Sequence, residues 1–573
     1  MTVNSRISQI LSEIYNTNIA PTVIARLESI LTKYHKQIPS RKFNGLSERD
    51  ILLIVYPDQI LEPGRTPLES LSSFCEQYLT GLITGIHILP FYPWSSDDGF
   101  SVIDYRAVDP KYGSWEDISA VGNHFRLMFD AVINHTSVHS PWFEGFLQDN
   151  KLYKDYYIEV HGNPDLSNVI RPRALPLLTQ FNTPNGPKAV WTTFSSDQAD
   201  LNYHNPDVLL DILDILLLYV QHGAEIIRLD AIAYLWKEIG SNCINLPTTH
   251  KIVQLIRATL DEFAPRIMLI TETNVPQADN LSYFGNGMDE AQLIYNFSLP
   301  PLLLHTFLRG NARILSQWAA SLKLPSKNVT FFNFLASHDG VGLNPLRNIL
   351  PETEIDELAK NIELRGGLIS YKSNSDGSRS PYEVNVNYLD ALSNPGEPLE
   401  TTVNRFITAH AILFALIGLP GIYFHSMFGS HGWPEGVTKT GRNRSINREK
   451  FNRHNLQTEL DDNNSIRSKV YKQLSKLIRI RAGQAVFSPY GTQTILESNP
   501  EVFALLRGNA ETDQCVLCLH NVSAEPVIIK LDFPQMPLRK SDIFHDLISG
   551  KNYDFRKTLS VAPYQAIWLT DRQ

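Results

Sequence analysis

Residues 226–231 read IIRLDA and residues 267–273 read IMLITET. Neither run has the sustained polar alternation of a strand with one face in water, so both are typical of parallel strands buried on both faces. Six further runs share this character: ILLIVY (51–56), GIHILPFY (85–92), LMFDAVIN (127–134), LIYNFS (293–298), FFNFLASHD (331–339) and GIYFHS (421–426). Helix-like segments such as residues 208–220 and 250–263 separate most of these runs. The pattern predicts an α/β fold, a (β/α)8 TIM barrel.

The remainder of the 573-residue chain is arranged around this barrel. Apolar residues at helical spacing precede the barrel. The segments after the third and seventh strands are too long to be a single connecting helix. Shorter runs of alternating apolar and polar residues form the C-terminal part of the chain. Long insertions on a barrel usually build the rim of its active site. We assign an N-terminal helical extension at 1–45, the barrel at 46–135 and 206–484, rim insertions at 136–205 and 340–400, and a C-terminal antiparallel β domain at 485–573.

The composition argues against several classes of partner. Lys and Arg number 51 and Asp and Glu number 60, a net charge of −9 that disfavours nucleic acid. Four scattered cysteines do not suit a disulfide scaffold. The N-terminus shows no apolar signal segment, and Gly-Leu-Pro-Gly breaks the most apolar stretch, residues 410–428, so no membrane span is predicted. We therefore expect a cytoplasmic protein whose partners are small molecules.

Two carboxylates end neighbouring strands of the predicted barrel. The period of two along a strand puts Arg228 and Asp230 on the same side, and Glu272 closes the next run. A guanidinium beside a carboxylate favours its ionised form, as a nucleophile needs, although a structural Arg–Asp pair is an equal reading of these two residues alone. Retaining glycosidases use two carboxyls ~5–5.5 Å apart, one to attack and one to move a proton.

Further polar residues end other strands. His338 and Asp339 end the seventh run, while Asp130, Asn134 and His135 end the third. Each alone could cap a loop, but together with the two carboxylates they predict one shared site at the carboxyl-end mouth of the barrel. A metal site is the competing use of such a cluster, and the sequence has no HExxH-type ligand motif, so we predict no metal.

The chain resembles the α-amylase-type glycoside hydrolase superfamily over nearly its whole length. The superfamily's four motifs can be read in their usual order at residues 130–135, 223–230, 270–272 and 334–339. The resemblance implies that Asp230 is the nucleophile, Glu272 the general acid/base and Asp339 a third carboxylate that stabilises the transition state. It also implies a glucose-binding shell consisting of His135, Arg228 and His338.

Within the superfamily the chain is most similar to the sucrose-phosphorylase group, at segments 89–91, 97–100, 171–173, 228–234 and 441–448. The similarity implies that Asp97 and Arg444 fix glucosyl hydroxyls and that Phe100 lies under the sugar ring. Tyr234 would line the acceptor side, and Arg173 would help to hold phosphate. A solvated loop arginine remains the alternative for Arg173 and Arg444.

The chain departs from sucrose phosphorylases on the acceptor side. Asn274, two residues after the predicted acid/base, stands where sucrose phosphorylases have His. In the late rim loop they have Leu-Asp before a Tyr, whereas this chain has Arg379-Ser380-Pro381-Tyr382. An added guanidinium there favours an acceptor with its own negative charge, because its planar fork matches a carboxylate or phosphate. We therefore predict that Arg379 and Tyr382 serve the acceptor or phosphate.

Several longer runs, including PFYPWSSDDGFSVIDY and ASHDGVGLNPLR, resemble the glucosylglycerate phosphorylases of this group. The resemblance implies reversible phosphorolysis of an α-glucoside of D-glycerate, with retention and without a cofactor. Sucrose, sucrose 6-phosphate or glucosylglycerol as substrate, plain hydrolysis, and a non-catalytic sugar-binding barrel are the alternatives. Some superfamily members bind calcium near the position of Asn134, but we predict none here. Sucrose phosphorylases can form homodimers, and the sequence leaves the oligomeric state open.

Overall fold

The barrel consists of eight parallel strands that pair in chain order and close on themselves. The computed structural model describes residues 2–18, 20–38, 45–172, 175–373, 378–509, 514–531, 533 and 541–571. The barrel strands are β1 Leu52–Val55, β2 Gly85–Ile88, β3 Arg126–Ala131, β4 Ala224–Leu229, β5 Met268–Thr271, β6 Leu293–Tyr295, β7 Thr330–Asn333 and β8 Leu419–Tyr423. Each strand coincides with or overlaps one of the eight apolar runs, so the predicted barrel is confirmed.

Helices cover the outside of the barrel. They begin where the sequence supplies a start signal: Asn205, for example, accepts the N–H of Asp207 and is followed by Pro206, whose fixed φ suits a first turn. None of the helices in the described part of the chain combines the length and the apolarity that a membrane span requires. The longer helices are Pro67–Leu79, Trp115–Gly122, Pro206–Gln221, Pro247–Phe263, Leu299–Arg309, Arg313–Ser321, Glu352–Leu364, Leu399–Ala415, Arg453–Asp461 and Ile466–Ala482. Shorter ones are Pro141–Leu147, Gln277–Ser282, Tyr388–Ala391, Phe424–Met427 and Pro434–Thr440.

Two N-terminal helices, Ser5–Tyr15 and Ala20–Tyr34, lie against the barrel helices Pro247–Phe263 and Pro206–Gln221. Their apolar stripes are buried, and the Tyr15 hydroxyl donates to the carbonyl of Tyr203 at 3.0 Å. The extension is thus part of the packed structure.

The two long insertions carry short antiparallel sheets. After β3, strand His135–Ser137 pairs with Gln198–Asp200, and Leu178–Thr183 pairs with Gly186–Trp191. After β7, a hairpin formed by Leu368–Ser373 and Arg379–Asn385 is joined by Val341–Gly342 as a third strand. The pairing of the two strands of this hairpin, called the hairpin 368–385 below, shifts its register between Ser370 and Tyr371.

The chain ends in an antiparallel β domain, as predicted. Its six-stranded sheet has the order Thr492–Ile495, Val502–Asn509, Gln514–Asn521, Ala566–Thr570, Ile543–Asp546 and Asn552–Asp554, and a second pair consists of Val527–Lys530 and Thr558–Val561. Both sheets contribute to one small apolar core separate from that of the barrel.

Candidate active site

The ends of β4 and β5 place two carboxylates side by side at the mouth of the barrel. The N–H of Asp230 donates to the carbonyl of Ala131, and the N–H of Glu272 donates to that of Leu229, each at 3.1 Å. Each residue therefore continues the barrel's hydrogen-bond ladder one step beyond its strand. Both side chains line one cavity together with Asp339, which follows β7.

Arg228 connects these acids. Its Nη1 donates to Asp130 and, at 2.7 Å, to Oδ1 of Asp230, while its Nη2 lies 3.9 Å from Oε2 of Glu272. Asp130 also contacts Nε2 of His87 at 2.6 Å. Burial opposes ionisation of Asp130, but Arg228 and His87 hold its pKa at about 2. The guanidinium is therefore fixed between a permanently charged Asp130 and the two carboxylates of the mouth.

The two carboxyls at the ends of β4 and β5 resist ionisation. Burial raises the pKa of Asp230, against the charge of Arg228, and the neighbouring Glu272 raises it further. Burial also raises the pKa of Glu272, again against Arg228, and the charge of Asp339 adds to the rise. Such a pair can keep one proton at neutral pH, which acid/base work at a glycosidic bond requires.

Asp339 and Arg444 form an ion pair on the other side of the cavity. Arg444 Nη1 lies 2.5 Å from Oδ1 of Asp339, and His338 Nε2 lies 3.5 Å from Oδ2. Burial opposes ionisation of Asp339, but Arg444 and His338 hold its pKa well below the usual range. Asp339 is therefore an anion throughout the neutral range.

Glu383, which sequence reasoning missed, completes this pair. Its Oε1 accepts from Arg444 Nε at 3.1 Å and its Oε2 from Nη2 at 2.6 Å, and only 4% of its side chain is exposed. The arginine is thus held by two carboxylates, Asp339 from the barrel and Glu383 from the hairpin 368–385. The sequence gives no signal for this contact, because it depends on how the hairpin folds over the mouth.

The structure brings together the residues predicted for the glucosyl unit. The rings of Phe100 and His338 stack with centroids 4.6 Å apart, and the Phe100 carbonyl lies 2.9 Å from His135 Nε2. Asp97 lines the same cavity and has a left-handed φ of 56°, which costs energy for a residue other than glycine. Gln198, also missed from the sequence, donates to the Phe100 carbonyl at 3.0 Å.

Only some of the residues predicted to bind the acceptor or phosphate lie together at the cavity. Tyr234, Asn274 and Tyr382 line the cavity. Arg379 does not line it in the part of the chain that the structure describes; its side chain is exposed on the hairpin. Arg173 lies outside the described residues.

Asn274 sits directly against the backbone of the loop after β7. A Cβ at Gly342 would lie 2.6 Å from Asn274 Nδ2 and 2.9 Å from its Oδ1. Contacts of this length are closer than van der Waals packing allows, so position 342 can carry a side chain only if Asn274 moves.

A lysine ammonium group lies beside Asn134, the position near which some members of the superfamily bind calcium. Lys237 Nζ lies 2.7 Å from Asn134 Oδ1 and 2.6 Å from Asp200 Oδ2, and all three side chains are buried. An ammonium group there neutralises Asp200 and takes the oxygen atoms that a cation would use. These residues therefore do not fit a calcium ion.

Comparison with known proteins places the chain in a defined context. The family model described as alpha amylase, catalytic domain, matches residues 76–339. The chain is 45% identical to a glucosylglycerate phosphorylase of Spirochaeta thermophila, over 99% of this chain and 98% of that protein. It is 44% identical to one of Escherichia coli, over 99% and 100%. The crystal structure of a sucrose 6F-phosphate phosphorylase from Thermoanaerobacter thermosaccharolyticum has a TM-score of 0.72 and 25% identity, covering 83% of this chain and 94% of that chain. The resemblance read from the sequence motifs is thereby confirmed.

Proposed function

Because the chain belongs to the family of glucosylglycerate phosphorylases, which carry the α-amylase catalytic domain, we propose that it catalyses reversible phosphorolysis of 2-O-α-D-glucosyl-D-glycerate. The products are α-D-glucose 1-phosphate and D-glycerate. Within the site, the observation that carries the proposal is the buried pair of carboxyls at the ends of adjacent strands, Asp230 and Glu272, with Arg228 between them.

The first step is attack of Asp230 on C1 of the glucosyl unit. Arg228 donates to Asp230 at 2.7 Å but lies 3.9 Å from Glu272, so it stabilises the ionised form of Asp230 more strongly. The mechanism places the proton of the pair on Glu272, because the donor to its Oε2 is the neutral N–H of Ala231, at 3.0 Å, whereas the donor to Asp230 is the charged Arg228. As the bond from C1 to the glycerate oxygen breaks, Glu272 delivers that proton to the oxygen, and a covalent glucosyl ester of Asp230 remains.

The second step reverses these roles. D-glycerate leaves, and a phosphate oxygen attacks C1 from the vacated side and displaces Asp230. Glu272, now a carboxylate, accepts the proton of that phosphate oxygen. Two displacements at C1 retain the α configuration. Asp339 and Arg444 hold glucosyl hydroxyls throughout, and the stacked Phe100 and His338 rings form an apolar wall of the sugar site.

The acceptor preference rests on the family and on the two arginines that the sequence supplies in the rim insertions, Arg173 and Arg379. D-glycerate carries a carboxylate, and an arginine near the mouth would favour it over neutral fructose or glycerol. Arg173, Arg379 and Tyr382 remain the proposed acceptor and phosphate residues. Sucrose, sucrose 6-phosphate and glucosylglycerol are the competing substrates.

The experiment is an acceptor panel run in both directions. In phosphate buffer, 2-O-α-glucosylglycerate should release glucose 1-phosphate much faster than glucose. In synthesis from glucose 1-phosphate, D-glycerate should have a higher kcat/KM than fructose, fructose 6-phosphate or glycerol. Release of glucose alone would identify a hydrolase, and a preference for another acceptor would replace glycerate in the proposal.

A further inference from the structure

Outside the catalytic cavity, two cations converge on one neutral oxygen. Arg347 Nε and Lys372 Nζ each lie 3.4 Å from Asn344 Oδ1, and Arg347 Nη2 lies 3.4 Å from Ser380 Oγ. All three contacts exceed the usual N–H···O length of about 2.7–3.2 Å. The two cations therefore share a weak acceptor, and the group between them could be replaced by a stronger one.

The cluster has an excess of positive charge. Arg347 pairs with Glu352 at 2.5 Å, whereas Lys372 makes no direct ion pair among the described residues and interacts with Glu352 only at longer range. Burial lowers the pKa of Lys372, and the neighbouring Arg347 lowers it further. Arg379 pairs with Ser373, the rung next to Lys372 and Ser380, so its side chain points to the opposite face of the hairpin and is not part of the cluster. One carboxylate thus faces two cations, and an anion would relieve their mutual repulsion.

The cluster lies beside the catalytic mouth. Lys372 is paired with Ser380, and Ser380 is two residues before Tyr382 on the same strand, about 7 Å along it. Tyr382 lines the cavity, and so does the next residue, Glu383. An anion held by Lys372 would therefore be bound on the same hairpin that forms one wall of the active site.

The described residues that line the cavity offer phosphate little unengaged positive charge. Among its described lining residues, Arg444 is the one Lys or Arg, and Asp339 and Glu383 already hold it. Inorganic phosphate, a mono- or dianion at neutral pH, needs a cation at its approach to such an acidic cavity.

We propose that Arg347 and Lys372 form a binding site for inorganic phosphate at the mouth of the catalytic cavity, from which phosphate passes to the glucosyl enzyme. This inference rests on the proposed phosphorolysis, in which phosphate is the second substrate. The Lys372 ammonium and the Arg347 guanidinium supply charge-assisted hydrogen bonds to the phosphate oxygens, and the Ser380 hydroxyl and the Asn344 amide can supply neutral ones.

Double displacement allows a sharp test, because glycoside and phosphate react in separate steps. The quantity kcat/KM for glucosylglycerate reports formation of the glucosyl enzyme, and kcat/KM for phosphate reports its capture. In Lys372→Gln, the loss of one charge-assisted contact should lower kcat/KM for phosphate about tenfold. The value for glucosylglycerate should not change.

Three variants complete the design. Arg347→Gln should repeat the selective loss, and Lys372→Arg should largely retain phosphate capture because it keeps the charge. Lys360→Gln removes an exposed lysine from the nearby helix Glu352–Leu364 and should change neither constant. Thermal unfolding of each variant establishes that the fold is intact.

Three results would overturn the inference. The first is a kcat/KM for phosphate within twofold of wild type in Lys372→Gln. The second is an equal fall in both constants, which would indicate a structural role. The third is a selective fall in kcat/KM for D-glycerate during synthesis, which would assign the cluster to the carboxylate of the acceptor. Failure of the wild-type protein to form glucose 1-phosphate would instead overturn the proposed function.

Discussion

Replacement of Glu383 by Gln tests whether the hairpin contributes to the glucosyl site through Arg444. In the native protein Arg444 makes three charge-assisted contacts, two with Glu383 and one with Asp339. Gln retains one acceptor oxygen, but its amide NH2 group cannot accept from a guanidinium. Glu383→Gln therefore removes one charge-assisted hydrogen bond and weakens the other, which keeps its charged donor but loses its charged acceptor.

The expected magnitude follows from these two changes. A hydrogen bond to a charged group is worth about 1.5–3 kcal/mol, and weakening the second bond removes roughly 0.5–1 kcal/mol more, so the variant loses about 2–4 kcal/mol of the interaction that fixes Arg444. Each ~1.4 kcal/mol that is lost from the transition state lowers the rate tenfold. We expect kcat/KM for glucosylglycerate to fall between about 10-fold and about 100-fold, because part of the loss will appear in stability instead.

The chain contains a matched control. Arg405 and Glu397 form a similar bidentate pair, with both contacts at 2.8 Å and side chains 5% and 11% exposed, but neither residue lines the cavity. Glu397→Gln should lower the melting temperature without changing kcat/KM. The assay is steady-state release of glucose 1-phosphate beside thermal unfolding. If Glu383→Gln behaves like the control, with kcat/KM within threefold of wild type, the positioning role is wrong.

Further outcomes follow from the remaining site residues. Asp230→Asn should abolish turnover without lowering the melting temperature, and appreciable activity would refute its role as nucleophile. Glu272→Gln should slow cleavage of glucosylglycerate by about 10²–10⁴-fold but slow α-glucosyl fluoride far less, because fluoride leaves without a proton. The acid form of Glu272 is needed and burial raises its pKa, so kcat/KM for the glycoside should fall as pH rises through that raised pKa. The fall in kcat/KM at high pH should be absent in Glu272→Gln. If the fall persists in that variant, a group other than Glu272 causes it. Lys237→Met leaves the buried Asp200 carboxylate with hydrogen bonds from Thr193 and Asn134 but without a cation, so urea unfolding should show a loss of about 3 kcal/mol. A chelator should leave wild-type activity unchanged; inactivation that calcium reverses would contradict this reading.

The barrel and its carboxylates could be predicted because their signals are local. Strands buried on both faces must be apolar along their whole length, and a charged residue such as Asp230 or Glu272 at the end of such a strand is costly unless it lies at the mouth. Closure of the barrel then brings successive strand ends together whatever the details of the loops. The same reasoning predicts that Asp339, at the end of the seventh run, lies at the mouth of the barrel.

The contacts made by the insertions could not be predicted in this way. Glu383 and Gln198 reach the site only after the insertions have folded against the mouth, and Lys237 reaches Asn134 only after the loop that follows β4 has folded. A simple alternation along Arg379–Asn385 does not show which residues face the cavity, and both Tyr382 and Glu383 line it. The register shift between Ser370 and Tyr371 alters which cross-strand neighbours meet, and no local residue pattern specifies it.

The close contact between Gly342 and Asn274 has a consequence for how acceptor preference can diverge. Asn274 is one of the positions at which this chain differs from sucrose phosphorylases, yet its side chain has no room to grow toward the loop after β7. Any larger residue at 274 must turn into the cavity, and any side chain at 342 must displace the amide. The two positions are therefore coupled, because a substitution at one changes the room at the other, and libraries that vary them together should recover specificities that single-site saturation misses.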